Sequence, residues 1–310
     1  MLPAILLLSG IALVDAAPAA GPPAGGARLV APVRLVVIDT KTTRAWGPLP
    51  WPRDRHAQIV SLLDRAGAKA IALRFFYRDA RGDAGDNALV EAVRKCGRVF
   101  IEIGKAPGVE GWNPTDPWLD SVELKTSGKP PAKLFTAEAL QVPFEDLARA
   151  ARGVGSIDVM VNRERQLQGI PLLVSCRHRL FPSLALRIYL YLAGLEGQKL
   201  AFEQGRVTRF GFLPGSEARG LLLGKTHAAV DAYGCTLVNL TPPGRGYPVD
   251  SLVDVLSGRI KPSVYRDAVV LIGAESPELD VQTSTGPKSG LELVADQLSA
   301  LFQFSEDPGK

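Results

Sequence analysis

The sequence predicts an α/β protein: a mostly parallel central sheet with flanking helices, arranged as a single intertwined domain with a long loop insertion. Three observations carry this expectation. Short apolar runs of β type alternate with helical periodicity through residues 28–103, and again through residues 236–302. The junctions hold Gly, Pro, Asp and Asn, the residue types that start and stop such elements. Between the two regular regions, residues 105–133 are rich in Pro, Gly, Asp and Trp and read as a long surface insertion.

The elements follow in order. Leu35, Val36, Val37 and Ile38 form a buried-strand run that ends at Asp39. A loop with Trp46, Gly47, Pro48 and Pro50 leads to Pro52, which suits the first turn of a helix. That helix places Ile59, Val60 and Leu63 on one face, and Gly67 has the residue type of its C-terminal cap. Residues 70–75 predict a second strand. Asp86 and Asn87 open a helix with Leu89, Val90, Val93 and Cys96 at helical spacing, and residues 99–103 give a third strand. Strand, helix, strand, helix, strand is the rhythm of a parallel sheet with right-handed crossovers.

The middle is less regular. Residues 153–157 and 170–174 predict strands on either side of the charged turn Asn162-Arg-Glu-Arg165. Pro182 starts a helix that is apolar nearly all round and therefore buried. Residues 206–212 and 221–223 read as extra strands or extended edges. Residues 236–240 predict a strand, residues 249–256 a short helix, and residues 268–272 a strand ending at Gly273. Leu291, Val294, Ala295, Leu298, Leu301 and Phe302 form the apolar stripe of a last helix.

The 310 residues are 46% hydrophobic and 22% charged, with a mean hydropathy of +0.09. This excludes a disordered chain, a collagen-like repeat and a disulfide-dense miniprotein. No internal stretch reaches the ~18–20 apolar residues of a membrane span; residues 181–194 are too few and include Arg187. The net charge of +4 is mild and its basic residues are scattered, so no nucleic acid is expected as a partner. Cys96, Cys176 and Cys235 show no CxxC spacing, and an odd number allows at most one internal bridge; buried, inert thiols are expected.

At the N-terminus, residues 2–14 are apolar, small residues follow, and residues 18–27 form a Pro/Gly/Ala spacer. This fits a signal peptide cleaved near Ala16, with an uncleaved anchor as the alternative, although no Lys or Arg precedes the run. With no cysteine nearby, a lipid-anchored form is not expected. The expected division is residues 1–27 as leader and spacer, 28–304 as the α/β domain and 305–310 as a tail, in a periplasmic or secreted protein.

The segments now in hand resemble one family. Val36-Val-Ile-Asp39, Trp46-Gly-Pro-Leu-Pro-Trp-Pro-Arg53 and Gly67-Ala-Lys-Ala-Ile71 are similar to the opening of the type-2 CHASE domain, the cyclase/histidine-kinase-associated sensory extracellular domain. Asp86-Asn-Ala-Leu89, Ile170-Pro-Leu-Leu173, Pro182-Ser-Leu-Ala185, Val238-Asn239, Asp254-Val-Leu-Ser-Gly258, Val269-Val-Leu-Ile-Gly273 and Gly290-Leu-Glu292 follow in the family's order. The resemblance implies an extracytoplasmic ligand-sensing fold. In the family such domains pass a signal through following spans to a kinase or cyclase. This chain shows neither, so a divergent, stand-alone module is expected, acting through a membrane-bound signalling protein or a like subunit. There are departures. Arg74 stands where the family usually has an acid, and Asn162-Arg-Glu-Arg165 with Gln168 replaces an Asp-x-Asp-Gly element and its following Arg. Val294 stands where a His is frequent. The resemblance therefore does not imply a retained ligand.

Open α/β sheets bind ligands at the carboxyl ends of their strands. Asp39 sits at such an end, and Arg53 follows at a helix N-terminus, where the two either bind a zwitterion or pair with each other. Trp51 either stacks on a ligand or closes a loop over the core. Glu275, Ser276 and Asp280, in the loop after Gly273, are the second candidate group, although a glycine there also simply permits a tight turn.

Catalytic motifs are missing. His56, His178 and His227 form no HExxH or His-x-His pair, so no metal is expected. Ser276 is not in a Gly-x-Ser-x-Gly elbow. Gly220-Leu-Leu-Leu-Gly224-Lys225-Thr226 is one residue short of a phosphate loop and too apolar. Asp116/Asp120 and Asp250/Asp254 read as solvated acidic pairs. The expectation is a sensor-type domain that binds an unknown small ligand or a partner protein, with no cofactor and no catalysis. An exported hydrolase with an unrecognised site and a ligand-free interaction protein stay open.

Overall fold

The computed structural model describes residues 11–13, 32–106, 118–209, 213–224, 226–236 and 238–304. Its centre is a seven-stranded sheet made of β1 (Val33–Ile38), β2 (Ala70–Arg74), β3 (Val99–Lys105), β4 (Leu140–Gln141), β5 (Gly153–Ser156), β6 (Val249–Ser251) and β7 (Val269–Ala274). The order is β6-β1-β7-β2-β3, with β5 and β4 both on the free edge of β3. Every pairing is parallel except that of β4. The expected α/β class and mostly parallel sheet are present.

Both faces of the sheet are covered, as parallel strands require. Val36, Ile38, Ile71, Leu73, Ile101 and Ile272 face one core, packed by α2 (Arg53–Arg65), α3 (Ala84–Cys96), α4 (Glu145–Ala150) and α6 (Leu252–Leu256). Leu35, Val37, Ala72, Phe100 and Leu271 face the other, beneath α5 (Leu184–Leu192) and α7 (Gly290–Phe304). The alternation follows from the two-residue period of a strand. A hairpin, Leu200–Arg209 with Leu213–Leu223, adds Leu200, Phe202, Leu221 and Leu223 to the second core. The short α1 (Thr40–Trp46) leaves the end of β1 directly.

Helix ends follow local chemistry. The Asp83 carboxylate accepts the Asp86 N–H at the start of α3, and Gly97, at φ 67°, closes its end in the left-handed conformation. Ser183 caps α5 through the Leu186 N–H. Every residue from Leu184 to Leu190 in α5 is buried, as its all-round apolar character predicts.

Several boundaries differ from the sequence reading. Helix α3 begins before Asp86, because Asp83 is the residue free to cap it. Pro182 ends a strand (Arg179–Pro182), leaving Ser183 as the cap of α5. Residues 249–251 are strand, not helix, because Val249, Asp250 and Ser251 pair with β1. Beyond Cys235–Thr236, residues 238–240 lie outside any strand. The insertion is not all surface: Trp118, Leu119 and Val122 are buried in the first core. Asp250 and Asp254 are not a solvated pair. Asp250 is bound by Arg34 and the Tyr265 hydroxyl, and Asp254 by Lys41 and Arg259.

Within the expected leader, Ile11–Leu13 form a strand parallel to Val159–Val161. The rest of residues 1–27, Asp116, Lys225 and the 305–310 tail lie outside the described residues. Among the described residues no helix is long and apolar enough to cross a membrane. Cys96, Cys176 and Cys235 are buried and unbridged, and burial pushes their thiols up, that of Cys96 to about 11.

Leu63 is fully buried between α2 and the sheet, whereas Leu222 is 38% exposed. In urea denaturation Leu63→Ala is expected to cost about 2–5 kcal/mol. Leu222→Ala is expected to stay within about 0.5 kcal/mol of the parent.

Candidate functional site

The helices that follow β1, β2 and β3 pack on the first core, whereas α7, which follows β7, packs on the second. Strand β7 lies between β1 and β2, so the chain departs in opposite directions on either side of it. That divergence is a topological switch point, the place where an open α/β sheet leaves a crevice outside its carboxyl ends. Asp39 follows β1, Arg74 ends β2, and Glu275, Ser276 and Asp280 lie in the loop after β7.

Asp39 caps α1. Its carboxylate accepts the Thr42 N–H at 2.8 Å, the Thr42 hydroxyl at 2.6 Å and the Ser251 hydroxyl at 2.9 Å. Burial raises its pKa, but these hydrogen bonds outweigh it and hold the group below its usual range. Glu275 is exposed and its backbone N–H bonds the Ile38 carbonyl at 3.1 Å. Its carboxyl is held up by partial burial and by the charges of Asp39 and Asp280. Ser276 starts the short turn Pro277–Leu279. Asp280 is half-buried and is also held up, by burial and then by Glu292 and Glu278, against the opposing pull of Arg165 and Arg74. The structure thus brings Asp39, Glu275, Ser276 and Asp280 to one edge.

Arg53 and Trp51 go elsewhere. Arg53 is buried, binds Asp86 and the Asp79 carbonyl, and lies over the rings of Tyr77 and Phe144 at 5.8 and 4.7 Å. It pairs neither with Asp39 nor with the loop after β7. Trp51 is 3% exposed and donates its indole N–H to the Gly47 carbonyl at 2.9 Å, closing the loop over the core. The cations near this edge are instead Arg165 and Arg74. The Arg74 guanidinium occupies the space that a side chain on Gly290, at the start of α7, would fill, and its Cβ lies against Gly273.

Beside Arg74, on the same face, stands Glu102 of β3, only 3% exposed. The Arg74 Nε and Glu102 Oε2 atoms are 3.5 Å apart, and neither makes a hydrogen bond. Burial outweighs the guanidinium and pushes the Glu102 carboxyl up to about 8, with Asp158 adding to the rise. Asp158 is 2% exposed, accepts the Ser156 hydroxyl at 2.6 Å and the Lys105 N–H at 3.0 Å, and is pushed by burial up to about 6. Neither acid was singled out from the sequence. The available signal was a lone carboxylate within the apolar run Val99-Phe-Ile-Glu-Ile103.

The remaining departures from the family pattern have local roles. Arg165, at φ 59°, donates to the Glu278 carbonyl at 2.9 Å and the Asp280 carbonyl at 3.3 Å, fastening the 162–166 turn over the β7 loop. The Asn162 side chain accepts the Glu164 and Gln166 N–H groups and shapes that turn. Glu164 is exposed, Gln168 contacts only nearby carbonyls, and Val294 is buried in the second core. Residues 220–223 lie in a paired strand, not a phosphate loop. Among the described residues no three His, Cys, Asp or Glu side chains are grouped to hold a metal.

An open, mostly parallel sheet covered on both faces, with a switch point at its carboxyl edge, defines a doubly wound α/β module. The model of the CHASE2 domain matches residues 12–310, and the chain belongs to this family of extracellular sensory domains. Among curated proteins and among solved structures, nothing matches the chain.

The buried ionisable groups set a pH dependence. Glu102 is an acid held up from 4.5 to about 8, so the folded chain keeps a proton that the unfolded chain has lost, and stability falls as pH rises through that window. His56, whose Nδ1 lies 2.6 Å from the Tyr77 hydroxyl, is a base held down by burial from 6.5 to about 4. Its stabilising effect is lost as pH drops below 6.5. Thermal melts should therefore show a falling midpoint between pH 6.5 and 8.5 that Glu102→Gln removes. A fall that persists in the variant assigns it to another group.

Proposed function

We propose that this chain is the receiving part of an extracytoplasmic sensory system, and that its signal is a small ligand taken up at the switch-point crevice. The observation that carries the reading is the meeting of Asp39, Arg74, Glu275 and Asp280 on three neighbouring strand ends. Family membership gives the sensory context, and the crevice is where a sheet of this kind holds small molecules. Recognition then acts on the β7 loop and on α7, the two elements that flank Arg74. Output passes to a membrane-bound signalling protein or to a second copy of the chain. No substrate is turned over in this reading, and the three histidines take no part. His56 is buried against Tyr77, His178 sits in a tight turn, and His227 pairs with Glu203 on the hairpin.

Export is checked by fractionating the native host, where the chain is expected in the periplasm or the medium; a cytoplasmic chain overturns this part. Ligand uptake is checked by thermal shift against a panel of small charged and neutral metabolites. At least one compound is expected to raise the melting midpoint of the parent by several degrees and that of Glu275→Gln by clearly less. Glu275 is exposed, so the substitution leaves the fold intact. A shift of equal size in the variant moves the site away from the crevice.

A further inference from the structure

Basic residues that are scattered along the sequence are gathered by the topology. Strands β7, β2 and β3 are parallel neighbours, so the segments leading into them meet at the amino-terminal edge of the sheet, opposite the crevice. Three neighbouring strand starts span only about 10 Å. Each brings a cation: Arg266 shortly before β7, Lys69 immediately before β2 and Arg98 immediately before β3. Backbone bonds knit these segments together. The Lys69 N–H donates to the Ala268 carbonyl at 2.8 Å, the Asp267 N–H to the Gly67 carbonyl at 2.9 Å, and the Ile71 N–H to the Arg98 carbonyl at 3.0 Å. Helices α2 and α3 return to the same edge, and their last turns add Arg65 and Lys95, which line one groove between them.

Acids do not balance these cations. Asp64 is taken by Arg98 at 2.6 Å, and Glu91 by Arg94 at 3.0 Å. Arg65, Lys69, Lys95 and Arg266 are all exposed, and among the described residues none of them has an ion-pair partner. Asp267 is the free acid beside them. The favour that a helix C-terminus shows to cations accounts for Arg65 and Lys95. Lys69 and Arg266 lie outside any α-helix and owe nothing to it.

An apolar side chain accompanies the charge. Val264 is 38% exposed, one of three large apolar side chains so exposed among the described residues. It stands in the short turn Pro262–Tyr265, bracketed in the chain by Lys261 and Arg266, and this turn packs against α2. An apolar group held out between cations gains nothing from a soluble polyanion. A lipid headgroup layer matches both parts, its phosphates meeting the cations and its acyl boundary the apolar atoms. A single-stranded nucleic acid would call for aromatic rings to stack on, and the aromatic residue of this turn, Tyr265, is fully buried.

We propose that the amino-terminal edge of the sheet, at Arg65, Lys69, Lys95 and Arg266, docks on an anionic lipid surface with Val264 at the headgroup boundary. The sensory domain then rests on a membrane by its basic edge, and the carboxyl edge, the length of a strand away, faces solvent. The proposal does not depend on what the crevice binds.

The test is sedimentation of the full chain with phosphatidylcholine vesicles, with and without about one-third phosphatidylglycerol, at low salt. The parent is expected to sediment with the charged vesicles only, and ~1 M salt, which screens within about 3 Å, is expected to release it. The variant carrying Arg65→Gln, Lys69→Gln, Lys95→Gln and Arg266→Gln is expected to partition at least roughly tenfold less. A control of equal net charge carries Arg44→Gln, Arg78→Gln, Arg163→Gln and Arg245→Gln, all exposed and toward the carboxyl edge, and is expected to stay within about threefold of the parent. Circular dichroism checks the fold of each. The double variant Lys69→Gln, Arg266→Gln touches no α-helix and is expected to lose at least about threefold, so the test survives misfolding of the larger variant. A parent that stays free of charged vesicles overturns the proposal, and its retention on immobilised polyglutamate then assigns the edge to an acidic protein. Equal losses in the variant and the control overturn it too, since net charge alone explains them. Equal binding to neutral vesicles overturns the electrostatic match.

Discussion

The buried pair of Arg53 and Asp86 is the constraint on which the carboxyl edge of the sheet depends. Two charges removed from water are tolerable only when their geometry is good and their remaining hydrogen-bonding groups are satisfied. Asp86 meets that condition by also accepting the Arg81 and Gly82 N–H groups, at 2.5 and 2.9 Å. Arg53 meets it through the Asp79 carbonyl and two aromatic faces. One contact therefore joins the start of α2, the first turn of α3, the loop after β2 and Phe144, the cap of α4. The loop after β2 is held toward the α2/α3 side, and the loop after β7 is left to face α7 on the other.

Much of this architecture was legible because parallel strands buried on both faces read as unbroken apolar runs. The strands β1, β2, β3 and β7 all announced themselves in that way. Strand β6 did not: it is three residues long, carries Asp250 and runs straight into α6, so a local window sees one helical stretch. The insertion misled for a related reason. Its Pro and Gly content is that of a loop, but Trp118 and Leu119 are anchored in the core.

The site was legible only where it obeys a positional rule. Asp39, Glu275 and Asp280 follow strand ends, and the fold of an open sheet puts such residues at a common edge. Arg53 follows a helix start on the wrong side of that edge, a distinction that spacing along the chain does not contain. Arg74 and Glu102 meet because β2 and β3 pair in register, Leu73 opposite Ile101. That pairing joins residues far apart in sequence, and no local pattern reveals it. The same pairing changes the meaning of Arg74. Where the family resemblance calls for an acid, a cation now stands next to a buried carboxyl, and the departure becomes a reversal of charge at the centre of the crevice.

The three cysteines have a consequence for the chain's surroundings. Each lies on a different element, is sealed from solvent and has its thiol held in the unreactive form. Oxidants find no thiolate to attack, and reductants find no bridge to cut. The fold is held by packing and paired charge, with no bridge among its three cysteines.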